Sequence, residues 1–429
     1  MPDDTIETRI PASCPASISE ILRHAWQHDL ASLKPLLFVP GRASVQEPTT
    51  GETPLHAAIR SCGARTPGQG AAEPDIEAAV AVVQELFLSG AIWNDVDSNN
   101  ETPGCVAARL GRGELYELCV GAGMRAELLF GLLDGYEALE SDAEDEEEAA
   151  AEDENDEPAA AVEEGRVDAP EDVILESDPD RAFAPPQADD GTVTSAAYLR
   201  ASLTYTDGKL VDDERNGVMM AWETSIMRAS VDALLPGLPA GKRVLNIGFG
   251  MGIIDAMFRE TRPSRHHVIE AHPEVLKHVE SSPDCTFGKD WEASGPSEGA
   301  YRIHAGKWQE VVPRLLEEGE LYDAIYFDTF GEDYSQLRMF FTEYVLALLD
   351  EGGIFGFFNG LGADRKVCYD VYTKVAEMHL ADAGLDVEWK ALDVDMKDLE
   401  EEGKGEWQGV KRRYWTLDKY RLPIITLMG

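Results

Sequence analysis

Val244-Leu-Asn-Ile-Gly-Phe-Gly-Met-Gly-Ile253 decides how the rest of the chain is read. A short apolar run meets three glycines, Gly248, Gly250 and Gly252, spaced G-x-G-x-G. The run predicts a buried strand. The glycines predict a tight turn where a ligand touches backbone, since a residue without a Cβ leaves that room. The next apolar run, Val268-Ile-Glu270, ends in an acid. A glycine turn followed about 20 residues later by an acid suits a nucleoside-bearing cofactor, with the acid on the ribose hydroxyls. A dinucleotide site wants G-x-G-x-x-G, and Ile253 stands where the third glycine belongs. The observed spacing suits S-adenosylmethionine, which has no pyrophosphate to seat.

Outward from this turn, strand and helix patterns alternate. Strands are predicted at 243–247, 266–270, 301–304, 323–328, 353–358, 385–392 and 413–426, and helices at 252–260, 273–280, 308–317 and 335–349. Alternation implies an α/β fold with a parallel sheet covered on both faces. Little lies between the last two strands that could cross over, so they read as an antiparallel hairpin. Ligands sit at the carboxyl ends of such strands. Glu270, Trp308-Gln309, Asp328 and Asn359 fall there. Asp328 closes the run Ile325-Tyr-Phe-Asp328, and an acid at the tip of a buried run must be wet, paired or functional. Asn359 reads most simply as a turn residue. Upstream, Gly217-Val-Met-Met-Ala-Trp-Glu-Thr-Ser-Ile-Met-Arg228 reads by spacing as an amphipathic helix, with one acid, Glu223, in apolar company.

The 429 residues suffice for two or three domains. No run of 18 apolar residues suggests a membrane span, and Met-Pro-Asp-Asp at the start does not read as a secretory signal. Six scattered cysteines (14, 62, 105, 119, 285, 368) without a C-x-x-C pair argue against a disulfide scaffold and a zinc site, so no metal is expected. Net charge is −44, of which residues 134–190 carry −22 through 24 acids and 2 bases. Such a chain does not suit direct nucleic-acid binding; a basic protein partner fits it better. The stretch 142–157, Asp-Ala-Glu-Asp-Glu-Glu-Glu-Ala-Ala-Ala-Glu-Asp-Glu-Asn-Asp-Glu, reads as a disordered linker. The organisation expected is therefore 1–133, an acidic linker at 134–191, and a cofactor domain at 192–429.

The first part holds a partial repeat. Gly51-Glu-Thr-Pro-Leu-His-Ala-Ala58 resembles the ankyrin signature T-P-L-H-x-A, and Asn100-Glu-Thr-Pro-Gly-Cys-Val-Ala-Ala108 repeats it with Gly-Cys for Leu-His. The copies lie 49 residues apart, against an ankyrin period of about 33. A Gly/Pro/Ala-rich loop at 63–75 accommodates the difference. Helical periodicity follows each copy, and a helix at 18–33 would cap the stack. An all-α ankyrin-like domain that docks protein is expected.

Four motifs then occur in order: Met219-Met-Ala-Trp-Glu-Thr-Ser-Ile-Met227, Gly248-Phe-Gly-Met-Gly-Ile253, Gly306-Lys-Trp-Gln-Glu-Val311 and Tyr326-Phe-Asp-Thr-Phe330. The set resembles guanidinoacetate methyltransferase. With the ankyrin-like front and acidic linker, the chain is similar to the fungal type IV protein arginine methyltransferases. The motif-bearing likeness spans about 198–360. It implies a class I S-adenosylmethionine-dependent methyltransferase fold, a Rossmann-like seven-stranded sheet in the order 3-2-1-4-5-7-6. It implies Glu223 and Asp328 as the acids that grip a guanidino group. It implies cofactor contacts from Met219, Met227, Gly248, Phe249, Gly250, Met251, Gly252, Ile253, Glu270, Ala271, His272, Trp308, Gln309 and Asp328, with Tyr205 at the cofactor edge. Phe327 departs from the relative's Tyr-Asp-Thr, at a strand-interior position before the acid.

The chemistry asks for two carboxylates. A guanidinium stays protonated at neutral pH, and removing its proton beforehand would cost roughly 7 kcal/mol. Paired acids hold the planar fork by charge-assisted hydrogen bonds, and one takes the proton as the methyl group transfers. Glu223 is expected to orient and Asp328 to accept. The expected activity is monomethylation of the internal (δ) guanidino nitrogen of arginine in a basic, ribosomal protein, in cytoplasm and nucleus. The alternatives are a small-molecule guanidino methyltransferase and a non-catalytic cofactor-binding scaffold.

Overall fold

The computed structural model describes residues 4–63, 76–147 and 194–429, with side chains described for all of these but 133–147. Of the loop expected at 63–75, residues 64–75 lie outside the described residues, as does the acidic segment beyond 147. The chain divides into two units, Met1–Asp189 and Asp190–Gly429.

The described part of the first unit is helical: Ile6–Arg9, Ala16–Trp26, Leu30–Leu36, Pro54–Arg60, Ile76–Leu88, Pro103–Arg109 and Gly113–Glu147, with a 3-10 turn at Arg42–Ser44. Both Thr-Pro pairs start helices for one physical reason. Thr53 and Thr102 accept the backbone N–H three residues on, and the following proline needs no donor there. His56 completes the first cap and donates from Nε2 to the Glu101 carbonyl at 2.9 Å, tying copy to copy. The repeat also carries an ion pair. Arg60 Nε meets Glu52 at 3.0 Å, and Arg109 Nε meets Glu101 at 2.6 Å, each eight residues along its own copy. Asp97 and Asp4 join these arginines and Arg9 into one cluster around the fully buried Arg60. The last helix continues beyond position 134, where a linker is expected, to Glu147.

The second unit holds two sheets. A small antiparallel one contains β1 (Leu203–Thr206), β2 (Lys209–Asp212) and β3 (Gly217–Met220). The large one contains β4 (Arg243–Ile247), β5 (Arg265–Glu270), β6 (Tyr301–Ala305), β7 (Tyr322–Phe327), β8 (Leu349–Phe357), β9 (Leu385–Asp393) and β10 (Lys419–Leu427). Its order is β6-β5-β4-β7-β8-β10-β9, the expected 3-2-1-4-5-7-6. β4 to β8 are parallel, and β10 runs antiparallel to both its neighbours. Strand residues alternate between two cores: Leu245, Ile247, Ile325 and Phe327 enter one, and Val244, Val268, Ala324 and Tyr326 the other.

Three sequence readings are corrected. Gly217–Met220 is a strand, and the helix behind it begins at Thr224, because Glu223 turns back to accept the Met220 N–H at 3.2 Å. The final strand starts at Lys419, not at 413. Residues 394–418 instead form a folded loop around buried Leu399, Trp407 and Trp415. The helix expected at 335–349 is interrupted by a π-turn at Phe341–Val345 and ends at Leu348.

Candidate active site

The glycine turn leaves β4 with all three glycines at positive φ, Gly248 at 94°, Gly250 at 54° and Gly252 at 69°. A Cβ on Gly248 would overlap the Asp328 carbonyl oxygen, and one on Gly250 would come within 2.7 Å of Met219 Cε. The Glu270 carboxylate, from the end of β5, closes the turn. It accepts the N–H of Phe249 at 2.9 Å, Gly250 at 3.4 Å and His272 at 2.6 Å. Burial raises its pKa, and these three donors oppose the rise. Beneath the turn, Asn246 bonds the Gly248 carbonyl and Asp255, both at 2.8 Å, and His266 bonds Asp255 at 2.9 Å.

A solvent-open cavity, with about 640 Å³ of space between its walls and the adjoining solvent, lies above this turn. Its walls are Met219, Gly248, Gly250, Glu270, Ala271, Trp308, Gln309 and Asp328, with Tyr198, Lys307, Phe330 and Glu332 among the others. Glu332 ties the walls together. It accepts the Trp308 indole N–H at 3.0 Å, a Gln309 amide N–H at 3.0 Å and the Thr329 hydroxyl at 2.7 Å.

A second, wider cavity of about 1360 Å³ adjoins the first. Val218, Asp328, Thr329, Phe330 and Glu332 line both. Glu223, Tyr414, Arg412, Asp333 and an apolar wall of Phe327, Leu337, Phe357 and Phe358 line the second alone. Glu223 is buried, and its two oxygens are each held by one protein donor. Tyr414 Oη donates to Oε1 at 2.6 Å and the Met220 N–H to Oε2 at 3.2 Å. Burial pushes its pKa up to about 7 against the pull of those two donors. Asp328 is half-buried, and no described residue donates to its carboxylate. Burial, then the charge of Glu223, raises Asp328 well above the ordinary carboxylate range. Two acids that repel each other in a poorly solvated cavity make a site for one planar cation.

Several residues that the sequence reading assigned to the cofactor do not line the first cavity. Met227 is fully buried in the core on the helix Thr224–Leu234. Phe249 contributes its N–H, while its ring packs against Phe287 in the core with centroids 5.3 Å apart. Gly252 caps the helix Ile253–Glu260, and Met251 and Ile253 pack beside the same core. His272 caps the next helix through Nδ1 and donates from Nε2 to the Tyr198 carbonyl at 2.8 Å. Tyr205 supports the turn from outside, donating to the Gly250 carbonyl at 3.2 Å and stacking on His278. Asn359 braces the sheet through Tyr420, Tyr369 and Arg421, as a turn residue would. Tyr198, Glu332, Arg412 and Tyr414 were not foreseen. Glu332 alone carried a signal, as a second acid four residues beyond Asp328.

Residues 191–388 match the family model for guanidinoacetate N-methyltransferase. Protein arginine N-methyltransferase 2 of Neurospora crassa is 63% identical over 100% of this chain and 99% of its own. The protein of that name from Gibberella zeae is 59% identical, over 97% and 94%, and that from Emericella nidulans 47%, over 95% and 96%. Fibrillarin from Aeropyrum pernix, solved with S-adenosyl-L-methionine, covers 55% of this chain and 85% of its own at 14% identity and a TM-score of 0.29. The fold assignment rests on the strand order, not on that likeness.

The cofactor of this methyltransferase family is S-adenosylmethionine, and the residues present fit it. The positive-φ turn offers a cradle without Cβ atoms, Glu270 keeps lone pairs for hydroxyl donors, and Asp328 and Glu332 face a cation with acids. Strand order, paired carboxylates and full-length identity agree: the chain belongs to the fungal protein arginine N-methyltransferase 2 family.

Proposed function

We propose that this enzyme adds one methyl group to the δ nitrogen of arginine in a basic, ribosomal protein. The observation that carries the reading is the placement of Asp328 where the two cavities meet, with Glu223 in the second cavity only. S-adenosylmethionine, when bound, supplies a sulfonium methyl group, so one carbon–sulfur bond is exchanged for one carbon–nitrogen bond. Everything else falls to the chain. Glu223, fixed by Tyr414 and Met220, grips the terminal N–H groups of the guanidinium. Asp328 receives the internal N–H, and its undressed carboxylate takes that proton as the nitrogen is alkylated. The aromatic wall of Phe327, Phe357 and Phe358 covers the aliphatic stem and keeps water out. The internal nitrogen has one hydrogen to lose, so addition stops at one methyl.

The helical unit is read as an ankyrin-like stack that docks the protein substrate. The support is physical: Thr-Pro caps, and a histidine that bridges to the next copy. Cytoplasm and nucleus are the compartments proposed. The test compares labelled methyl transfer onto stripped ribosomal proteins with transfer onto free guanidinoacetate. Preference for protein, lost in Asp328→Asn, supports the reading. Preference for guanidinoacetate would replace it with the small-molecule activity that the matching family model names.

A further inference from the structure

Tyr414 has a built position and donates one hydrogen bond, to Glu223. It lies on the 394–418 loop, which is pinned by two buried indoles. Trp407 donates to the Leu399 carbonyl at 3.0 Å and Trp415 to the Leu417 carbonyl at 2.6 Å. The Tyr414 ring meets Trp407 edge-on, centroids 4.8 Å apart, and leans on Trp222 at 6.1 Å. Gly217 keeps space for it, since a Cβ there would come within 3.0 Å of Tyr414 Cε1. These contacts are made by carbon and hold the ring without its hydroxyl. The hydroxyl is spent on Glu223 Oε1, at 2.6 Å.

Two carboxylates in one cavity compete for one proton. A donor on a carboxylate favours its ionised form. Glu223 has two such donors, and Asp328 has none among the described residues. We propose that Tyr414 is a positioning residue: its hydroxyl keeps Glu223 ionised and fixed as the guanidinium clamp, so that the departing proton goes to Asp328. This rests on the arginine-methylation reading. The other groups around Glu223 are Asp328 and Tyr326 on the β7 side, Tyr420 on β10, and Arg412 with Glu332 and Asp333 along the cavity. None of these donates a hydrogen bond to it. Removing the Tyr414 hydroxyl therefore raises Glu223 further, and the clamp fills with a proton at a higher pH.

The test is Tyr414→Phe in the full chain, with stripped ribosomal proteins and labelled S-adenosylmethionine, read as kcat/KM against pH. The acid limb is expected to move up by about 1–2 pH units, the scale of one hydrogen bond to a charged group. Activity should fall roughly 5- to 50-fold at pH 7 and recover to about half of wild type or more near pH 9, with cofactor affinity unchanged. In a Glu223→Gln background the same change should add less than about 2-fold, because it acts through Glu223. A fluorinated tyrosine at 414, a stronger donor of the same shape, should move the limb down and covers the case in which the Phe variant folds poorly. An unmoved limb, a loss equal at pH 7 and 9, or a full further loss in the Glu223→Gln background overturns the proposal while arginine methylation stands. Wild-type enzyme that leaves arginine unmodified overturns the underlying reading instead.

Discussion

Gly248 lies so close to Asp328 that a Cβ on the glycine would overlap the Asp328 carbonyl oxygen. The Asp328 N–H in turn donates to the Ile247 carbonyl at 2.8 Å, so the cofactor turn and the acid share one backbone seam. Gly248→Ala should therefore damage both functions at once. It meets backbone, which cannot swing aside, and a positive φ that L residues resist. Cofactor affinity and turnover should each fall by on the order of 10²-fold, while circular dichroism stays near wild type. Calorimetric titration and initial rates on one preparation check this; loss of only one function would separate the turn from the acid.

Glu270 fixes the same turn from the other side. Glu270→Ala leaves the Phe249, Gly250 and His272 N–H groups without their acceptor and, on the proposed reading, removes the partner for ribose hydroxyls. Cofactor binding should weaken by roughly 10²-fold or more, on the scale of losing charge-assisted hydrogen bonds. Near wild-type affinity for S-adenosylhomocysteine would move the ribose contact elsewhere.

Activity should carry an acid limb near neutrality. Glu223 titrates at about 7, Asp328 is raised well above its usual range, and the pair must be ionised to receive a guanidinium. The guanidinium itself does not titrate below about pH 12. Thus kcat/KM should rise with pH through about 7 and reach its plateau only once Asp328 has ionised as well. A limb at pH 4–5, the range of ordinary carboxylates, would show that the pair is not the catalytic one.

The same acid should destabilise the ligand-free protein. Glu223 has a folded-state pKa of about 7 against an ordinary 4.5, so the folded state binds more protons in that window. Its favourable contribution is complete below about pH 4.5 and is lost as pH rises through about 7. Glu223→Gln should melt a few degrees above wild type at pH 8 and equal to it near pH 4.5. Equal melting at pH 8 would mean the carboxylate is better solvated than its burial indicates.

In the helical unit, Arg60 is fully buried against Glu52 and Asp97. Arg60→Met strands those acids and should cost about 3–5 kcal/mol by urea titration. Cofactor binding by the other unit should persist. A cost below about 1 kcal/mol would show that the cluster is wet.

The central strands were legible because a parallel strand buried on both faces must be a short apolar run ended by a turn. β4 and β7 are such runs and β5 closes on one, Val268-Ile269, with Gly248, Asp328 and Glu270 at or just beyond their ends. β1 to β3 were not legible: each is four residues long and half-exposed in part, so no apolar period marks them. Tyr414 was invisible for another reason. It lies 191 residues from Glu223, and only the folded 394–418 loop brings the two together. The cofactor set read from the motifs mixes residues that line the first cavity with residues that support it. Phe249 and Gly252 shape the turn, Gly248 and Gly250 line the cavity, and Met227 packs in the core from the helix Thr224–Leu234. The Glu–Arg pairs of the helical repeat were written in the sequence, each as E-T-P with an arginine eight residues after the glutamate. They escaped notice because repeats are sought by apolar pattern.

The central claim is that Glu223 and Asp328 hold the guanidinium so that its internal nitrogen meets the methyl group. Fragmentation mass spectrometry of arginine from a methylated basic protein tests this most directly. The account predicts δ-monomethylarginine as the product, absent with Asp328→Asn. Dimethylarginine carrying its methyl groups on the terminal nitrogens would contradict the orientation.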